Sequence, residues 1–231
     1  MNNEIHTEEY YIASIDLLGV KNIIYSDGMD HHLNSIRKIY KSWTQIFNDS
    51  YFKNIRIKFF SDNMVVAINA DCPMAADRLL ESIGWICSHL LKCGYKPRGG
   101  VCKGNFYIDD IFVWGSGLVD AYLFESKKAI YPRIVLSDDV VSAASKHLSD
   151  FQIYKDTDGE VCLNYLKAFG GNKDGWISDI EEMQSVFNQE FQNYNERAHD
   201  KVLSEEDKKI YDKLLWLMQS LEENLIFWKQ Y

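Results

Sequence analysis

Proline is nearly absent from this 231-residue chain, at three positions, and thirteen glycines show no fixed spacing. That excludes collagen-like and low-complexity architectures, and no segment recurs to suggest a solenoid or propeller. No apolar run approaches the roughly 20 residues needed to span a bilayer. Met1-Asn2-Asn3-Glu4-Ile5-His6 lacks the basic start and apolar stretch of a secretory signal. Five cysteines, an odd number without a Cys-x-x-Cys pair, read as reduced packing residues of a cytosolic protein. Positive charge is also in deficit: 25 Lys and Arg face 34 Asp and Glu, a net charge of −9. An acidic surface is a poor match for nucleic acid or an anionic membrane, whereas one small polyanion needs only a local cation cluster.

What remains is ordinary globular material, 46% hydrophobic and 14% aromatic. Tyr10 to Ile15 reads as a buried strand stopping at Asp16. A turn at Ser26-Asp27-Gly28 precedes a helix marked by Leu33, Ile36, Tyr40, Trp43 and Phe47. Ile55–Phe60 and Met64–Ile68, split by Ser61-Asp62-Asn63, predict a hairpin. A helix then runs from Pro73 to Gly94. A short strand over Arg98–Gly104 and another over Phe106–Trp114 lead to a helix after Gly115-Ser116-Gly117. Ile134–Leu136 is a strand, Ser137 caps a short helix to about His147, and Phe151–Tyr154 with Val161–Tyr165 form a last hairpin. Gly170-Gly171-Asn172 marks a boundary between a unit over 1–172 and a helical extension over 173–231. Ser204-Glu205-Glu206-Asp207 starts the second helix of that extension, whose stripe of Leu214, Leu217, Leu221, Leu225 and Trp228 reads as core packing. The core order β-α-β-β-α-β predicts an α+β fold, the ferredoxin-like plan of an antiparallel sheet with helices on one face.

In that plan Asp16 and Asp62 end neighbouring strands. Each alone has a plain alternative, as a helix cap or a hairpin turn residue. Together they form a carboxylate pair that would repel unless a divalent cation lay between them, and oxygen ligands suit Mg²⁺ or Mn²⁺ with phosphate completing the shell. Gly19 follows, where backbone N–H groups can face phosphate. Alternation puts Arg56, Lys58, Phe60 and Asp62 on one face, either a solvated edge or a cationic lining. Arg98 and Lys103 add positive charge near the same sheet.

These residues resemble class III nucleotide cyclases over about residues 10–125. Asp16-Leu17-Leu18-Gly19 is similar to that family's Asp-Ile-x-Gly-Phe element. Ile57-Lys58-Phe59-Phe60-Ser61-Asp62 resembles its Ile-Lys-x-Ile-Gly-Asp hairpin, and Arg98-Gly99-Gly100-Val101-Cys102-Lys103-Gly104 its Arg-x-Gly-Ile-x-x-Gly strand. Val113-Trp114-Gly115 with Val119-Asp120-Ala121 resembles its Val-Trp-Gly…Val-Asn-x-Ala helix entry. The resemblance implies two Mn²⁺ or Mg²⁺ ions on Asp16, Asp62 and the Leu17 carbonyl, a nucleoside triphosphate near Gly19, Lys58, Arg98 and Phe112, and a head-to-tail homodimer. The departures matter. Phe112 replaces the base-recognising Asp, while Asp120 and Phe124 replace the transition-state Asn and Arg, leaving Arg98 or Arg133 to meet the α-phosphate. The variant pattern, with Arg98-Gly99-Gly100 and Tyr131-Pro132-Arg133-Ile134, looks like the pyrimidine cyclases of bacterial Pycsar antiphage defence. It implies UTP or CTP as substrate, a 3′,5′-cyclic pyrimidine monophosphate as messenger, and a downstream effector that senses it. A purine cyclase with an unusual pocket and a non-catalytic nucleotide-binding dimer module are the alternatives.

Overall fold

The structure, a computed structural model, describes residues 4–20, 29–46, 52–166, 172–200 and 202–231. The expected turn at Ser26-Asp27-Gly28, Phe47, and the Gly170-Gly171 part of the boundary lie outside the described residues. The elements are β1 (Glu8–Leu18), α1 (Met29–Ile46), β2 (Arg56–Phe60), β3 (Asn63–Asn69), α2 (Ala75–Lys92), β4 (Lys96–Ile108), β5 (Val113–Trp114) and α3 (Ser116–Lys128). They continue as β6 (Ile134–Leu136), α4 (Asp138–Ala143), α5 (Lys146–Gln152), β7 (Ile153–Lys155), β8 (Val161–Leu163), α6 (Lys173–His199) and α7 (Glu205–Gln230). The sheet order is β2-β3-β1-β4-β6-β8-β7, with β5 paired to β4 alone. Its first four strands are antiparallel neighbours in the ferredoxin-like order. Among the described residues one pair is parallel, β4 with β6, and it extends the sheet beyond that core.

Strand alternation splits the apolar residues into two layers. Tyr11, Ala13, Ile15, Met64, Val66 and Val101 face the large core built with α1, α2, α6 and α7. The leucine stripe and Trp228 of α7 are buried in that core, as their spacing predicts. Ser204 starts α7 with a reciprocal capping box, its Oγ accepting from Asp207 N–H at 3.1 Å.

Ile12, Val65, Ala67, Cys102 and Phe106 face the other way, against Ala121 of α3. Helices therefore cover both faces of the sheet, correcting the one-face expectation. Missing side chains make the second layer possible. A Cβ on Gly100 of β4 would lie 2.4 Å from both the Ala121 carbonyl oxygen and the Phe124 Cβ. A Cβ on Gly104 would lie 2.8 Å from Gly117 Cα. The helix can thus lie directly on the strand.

Near the site, two boundaries also differ from expectation. β1 does not stop at Asp16 but pairs through Leu18, so the acid is held inside the ladder, opposite Asn63 on one side and Arg98 on the other. Phe106–Trp114 is not one strand. β4 ends at Ile108, where the Asp109 Oδ1 accepts the N–H groups of Ile111 at 2.7 Å and Phe112 at 2.9 Å and bends the chain toward β5.

Gly100→Ala should cost about 1–3 kcal/mol of folding free energy through overpacking between β4 and α3. A drop in urea midpoint without a change in slope would show it; an unchanged midpoint would mean that α3 is not seated as described.

Candidate active site

Four elements converge on one end of the α3-side face. The hairpin between β2 and β3 is closed by Ser61 and Asp62, with Ser61 in the left-handed region at φ 54°. Register sets Asp16 opposite Asn63, and the Leu17 N–H donates to the Asp62 carbonyl at 3.0 Å. The two aspartates thus stand on neighbouring backbone segments. Asn63 Nδ2 lies 3.2 Å from Asp62 Oδ1. Gly19 directly follows β1 at φ 84°, with open space where a side chain would be.

Arg98 joins this pair to a third acid. Its Nε donates to Asp16 Oδ2 at 2.8 Å, and its Nη2 lies 2.9 Å from Glu125 Oε1 of α3. Sequence reasoning assigned Glu125 no role, although a signal existed. Gly117, Ala121 and Glu125 recur every four residues along the stripe of α3 that is buried, so an acid occupies a sheet-facing position. The Glu125 side chain is only 2% exposed. Its Oε1 accepts no aligned hydrogen bond despite the nearby guanidinium. Burial raises the Glu125 pKa; Arg98 opposes the rise, and the charges of Asp16 and Asp62 add to it. Arg98 therefore bridges Asp16 and Glu125, and Asp62 is near enough for its charge to act on Glu125.

Two other predicted site residues stand apart from this cluster. Lys58 pairs with Val65 and so lies on the α3-side face of β2. It borders a cleft of about 410 Å³ between Ile55–Lys58 and the Ile108–Asp110 corner. Asp109 is held below the usual carboxylate range first by the Phe112 and Ile111 N–H groups and then by Tyr107, with Lys58 also contributing. Phe112 is half exposed, its ring 5.3 Å from that of Tyr107. Lys103, on β4, is engaged by Glu9 at 2.8 Å. Arg133 is excluded from contact with a phosphate group: its 1%-exposed guanidinium is spent on Asp156 and Asp158 and on the Lys128 carbonyl. It anchors the β7–β8 hairpin instead.

No three His, Cys, Asp or Glu among the described residues cluster as a self-sufficient metal cage. Asp16 and Asp62 carry carboxylate oxygens, which are hard donors, on neighbouring backbone segments. Such donors suit Mg²⁺ or Mn²⁺, which retain water or phosphate ligands, and Glu125 is tied to the same place through Arg98.

No family model matches the sequence, and no curated protein matches it either. Solved structures do match. The catalytic core of a rhodopsin-guanylyl cyclase with converted specificity, in complex with ATPαS, aligns with TM-score 0.52 and 15% identity over 70% of this chain and 97% of its own. The guanylate cyclase domain of RhGC from Catenaria anguillulae, in complex with GTP, gives 0.50 and 15% over 69% and 96%. A bacterial light-regulated adenylyl cyclase gives 0.50 and 12% over 80% and 99%. The chain has the fold of these cyclase catalytic domains.

Because Glu125 is harder to ionise folded than unfolded, the folded protein retains a proton that the unfolded chain releases. Stability falls as pH rises from the ordinary glutamate range through the raised pKa. Metal-free Glu125→Gln should therefore melt higher than the parent at about pH 7 and level with it near ~pH 4. An equal difference at both pH values would show that ionisation at this position carries no cost.

Proposed function

We propose that the protein is a nucleotide cyclase that closes the ribose 3′-oxygen of a nucleoside triphosphate onto its α-phosphate and releases pyrophosphate. The adjacency of Asp16 and Asp62, locked by the Leu17-to-Asp62 backbone bond, carries this proposal. Two divalent ions held by Asp16, Asp62 and the Leu17 carbonyl would supply an acidified 3′-hydroxyl and charge neutralisation on the leaving group. Asp16 sits within a paired strand and Asp62 in a two-residue turn, so the backbone that carries both carboxylates is held by the sheet, which supports this reading. Arg98, the cation beside them, can transfer from Asp16 to a phosphate oxygen while staying near Glu125. Gly19 leaves the approach to the backbone open.

The substrate class we favour is the pyrimidine triphosphate, UTP or CTP, with the cyclic product acting as an antiviral second messenger read by a separate effector. The support is the motif pattern and the base-side wall. Phe112 offers a ring where a purine-reading acid would donate no bulk, and Asp109 nearby is committed to its own loop. Lys58 beside Asp109 is the feature that favours the purine alternative, since it preserves a polar cleft edge.

Head-to-tail homodimerisation completes the proposal. The cyclase unit over 1–172 would pair the acids of one copy with the Lys58 cleft of the other. Ile111, Phe112, Trp114, Val119 and Tyr122 are exposed on the β5–α3 side, and Trp114 is 71% exposed. A cluster of that kind marks a protein-contact surface.

Purified protein with Mn²⁺ and an equimolar mixture of the four ribonucleoside triphosphates should yield cyclic UMP or cyclic CMP by mass spectrometry. Cyclic AMP or GMP as sole product would establish the purine alternative, and four intact triphosphates would refute cyclase activity. Asp62→Ala or Asp16→Asn should each lower turnover by at least about 100-fold.

A further inference from the structure

Arg98 holds its two acids on unequal terms. Its Nε donates an aligned hydrogen bond to Asp16 Oδ2 at 2.8 Å, between residues that are register partners of β4 and β1. Its Nη2 lies nearly as close to Glu125 Oε1, at 2.9 Å, yet that buried oxygen accepts no aligned hydrogen bond. The guanidinium is therefore aimed at Asp16 and only adjacent to Glu125. Burial alone would favour the reverse. The Asp16 side chain is 15% exposed, so water can serve it, whereas Glu125 is enclosed and has no such substitute.

The backbones at both ends of this contact are fixed. Arg98 is held in the ladder opposite Asp16, and the next N–H, that of Gly99, donates to the Arg133 carbonyl at 2.9 Å. Glu125 is held by the close seat of Ala121 and Phe124 on Gly100. What can change is the arginine side chain, whose planar fork can exchange its aligned partner by rotation while both backbones stay in place.

A divalent cation on Asp16 needs the carboxylate that Arg98 already occupies. A guanidinium cannot shed its proton, so the two cations share that carboxylate only against their mutual repulsion. Departure of Arg98 into water would strand Glu125 as a buried charge without a partner. Rotation toward Glu125 instead completes the oxygen that is under-served at rest. We infer that Glu125 is a positioning residue for Arg98, the second partner that lets the guanidinium leave Asp16 when a divalent cation takes that carboxylate. The inference rests on the cyclase reading above and deepens it by adding a regulation of the same site. Without metal the site is closed by its own arginine, and metal entry and arginine release are one event.

The test is titration of the full chain with Mn²⁺ in the absence of nucleotide, read by the electron paramagnetic resonance signal of the free ion. Arg98→Gln removes the competitor and should tighten Mn²⁺ binding by about fivefold or more. Glu125→Gln removes the second partner and should weaken it by a similar factor. Glu125→Asp keeps the charge but falls short of the guanidinium, and should weaken binding nearly as much. With Arg98→Gln already present, Glu125→Gln should change affinity by less than about twofold, because no arginine is left to position. If Arg98→Gln binds Mn²⁺ no more tightly than the parent, the arginine does not compete and the inference is overturned. Parental affinity in Glu125→Asp overturns it too, since the effect would then be one of charge alone. So does an undiminished Glu125→Gln effect without Arg98, which would make Glu125 act on the ion directly. Each of these three results leaves the cyclase proposal standing. Asp62→Asn addresses that proposal separately: if it leaves Mn²⁺ affinity untouched, the metal-assisted site is wrong whatever Glu125 does. If neither the parent nor Arg98→Gln binds Mn²⁺, both fall.

Discussion

The depth at which α3 sits on β4 governs the rest of the molecule. Gly100, Gly104 and Gly117 remove the side chains that would hold helix and strand apart. Closeness there brings Glu125 to Arg98, which the β1–β4 register already sets opposite Asp16. Had any of the three glycines carried a side chain, the helix would have to rise or slide, and the arginine would lose its second acid. A packing constraint in the backbone thereby becomes an electrostatic constraint at the site. The energetic tension is visible in Glu125, which is buried beside two other carboxylates with an oxygen that accepts no aligned hydrogen bond.

The strand framework was legible in the sequence because alternation and turn chemistry are local. The hairpin around Asp62, the Ile134–Leu136 strand and the start of α7 all follow from residues within a few positions of one another. The second helical layer was not legible as such. Its determinants are glycines that meet across elements, and a glycine in a strand is equally compatible with a bulge or a bend. Glu125 was hidden for a related reason: an acid near the end of a helix ordinarily faces water, and only the depth of α3 makes this one internal. Arg133 misled in the opposite direction, since a basic residue near the motif region offers itself to a phosphate until Asp156 and Asp158 are seen to enclose it.

The chain is acidic overall, yet its cations are not uniformly spread. Lys92, Lys96, Lys208 and Lys229 are spent tying α6 and α7 to the body or to themselves. Arg133 is spent on the β7–β8 hairpin. Arg98 is shared between Asp16 and Glu125 at the end of the sheet that carries the hairpin of Asp62.

The two outermost strands carry a consequence of a different kind. β2 terminates one end of the sheet with five residues that include Arg56 and Lys58, and β7 terminates the other with three residues ending in Lys155. Short, lysine- and arginine-bearing borders make poor templates for the main chain of another copy. Growth of the sheet from molecule to molecule into a fibril is thereby discouraged at both margins. Self-association is left to side-chain surfaces, where it can stop at a defined number of subunits.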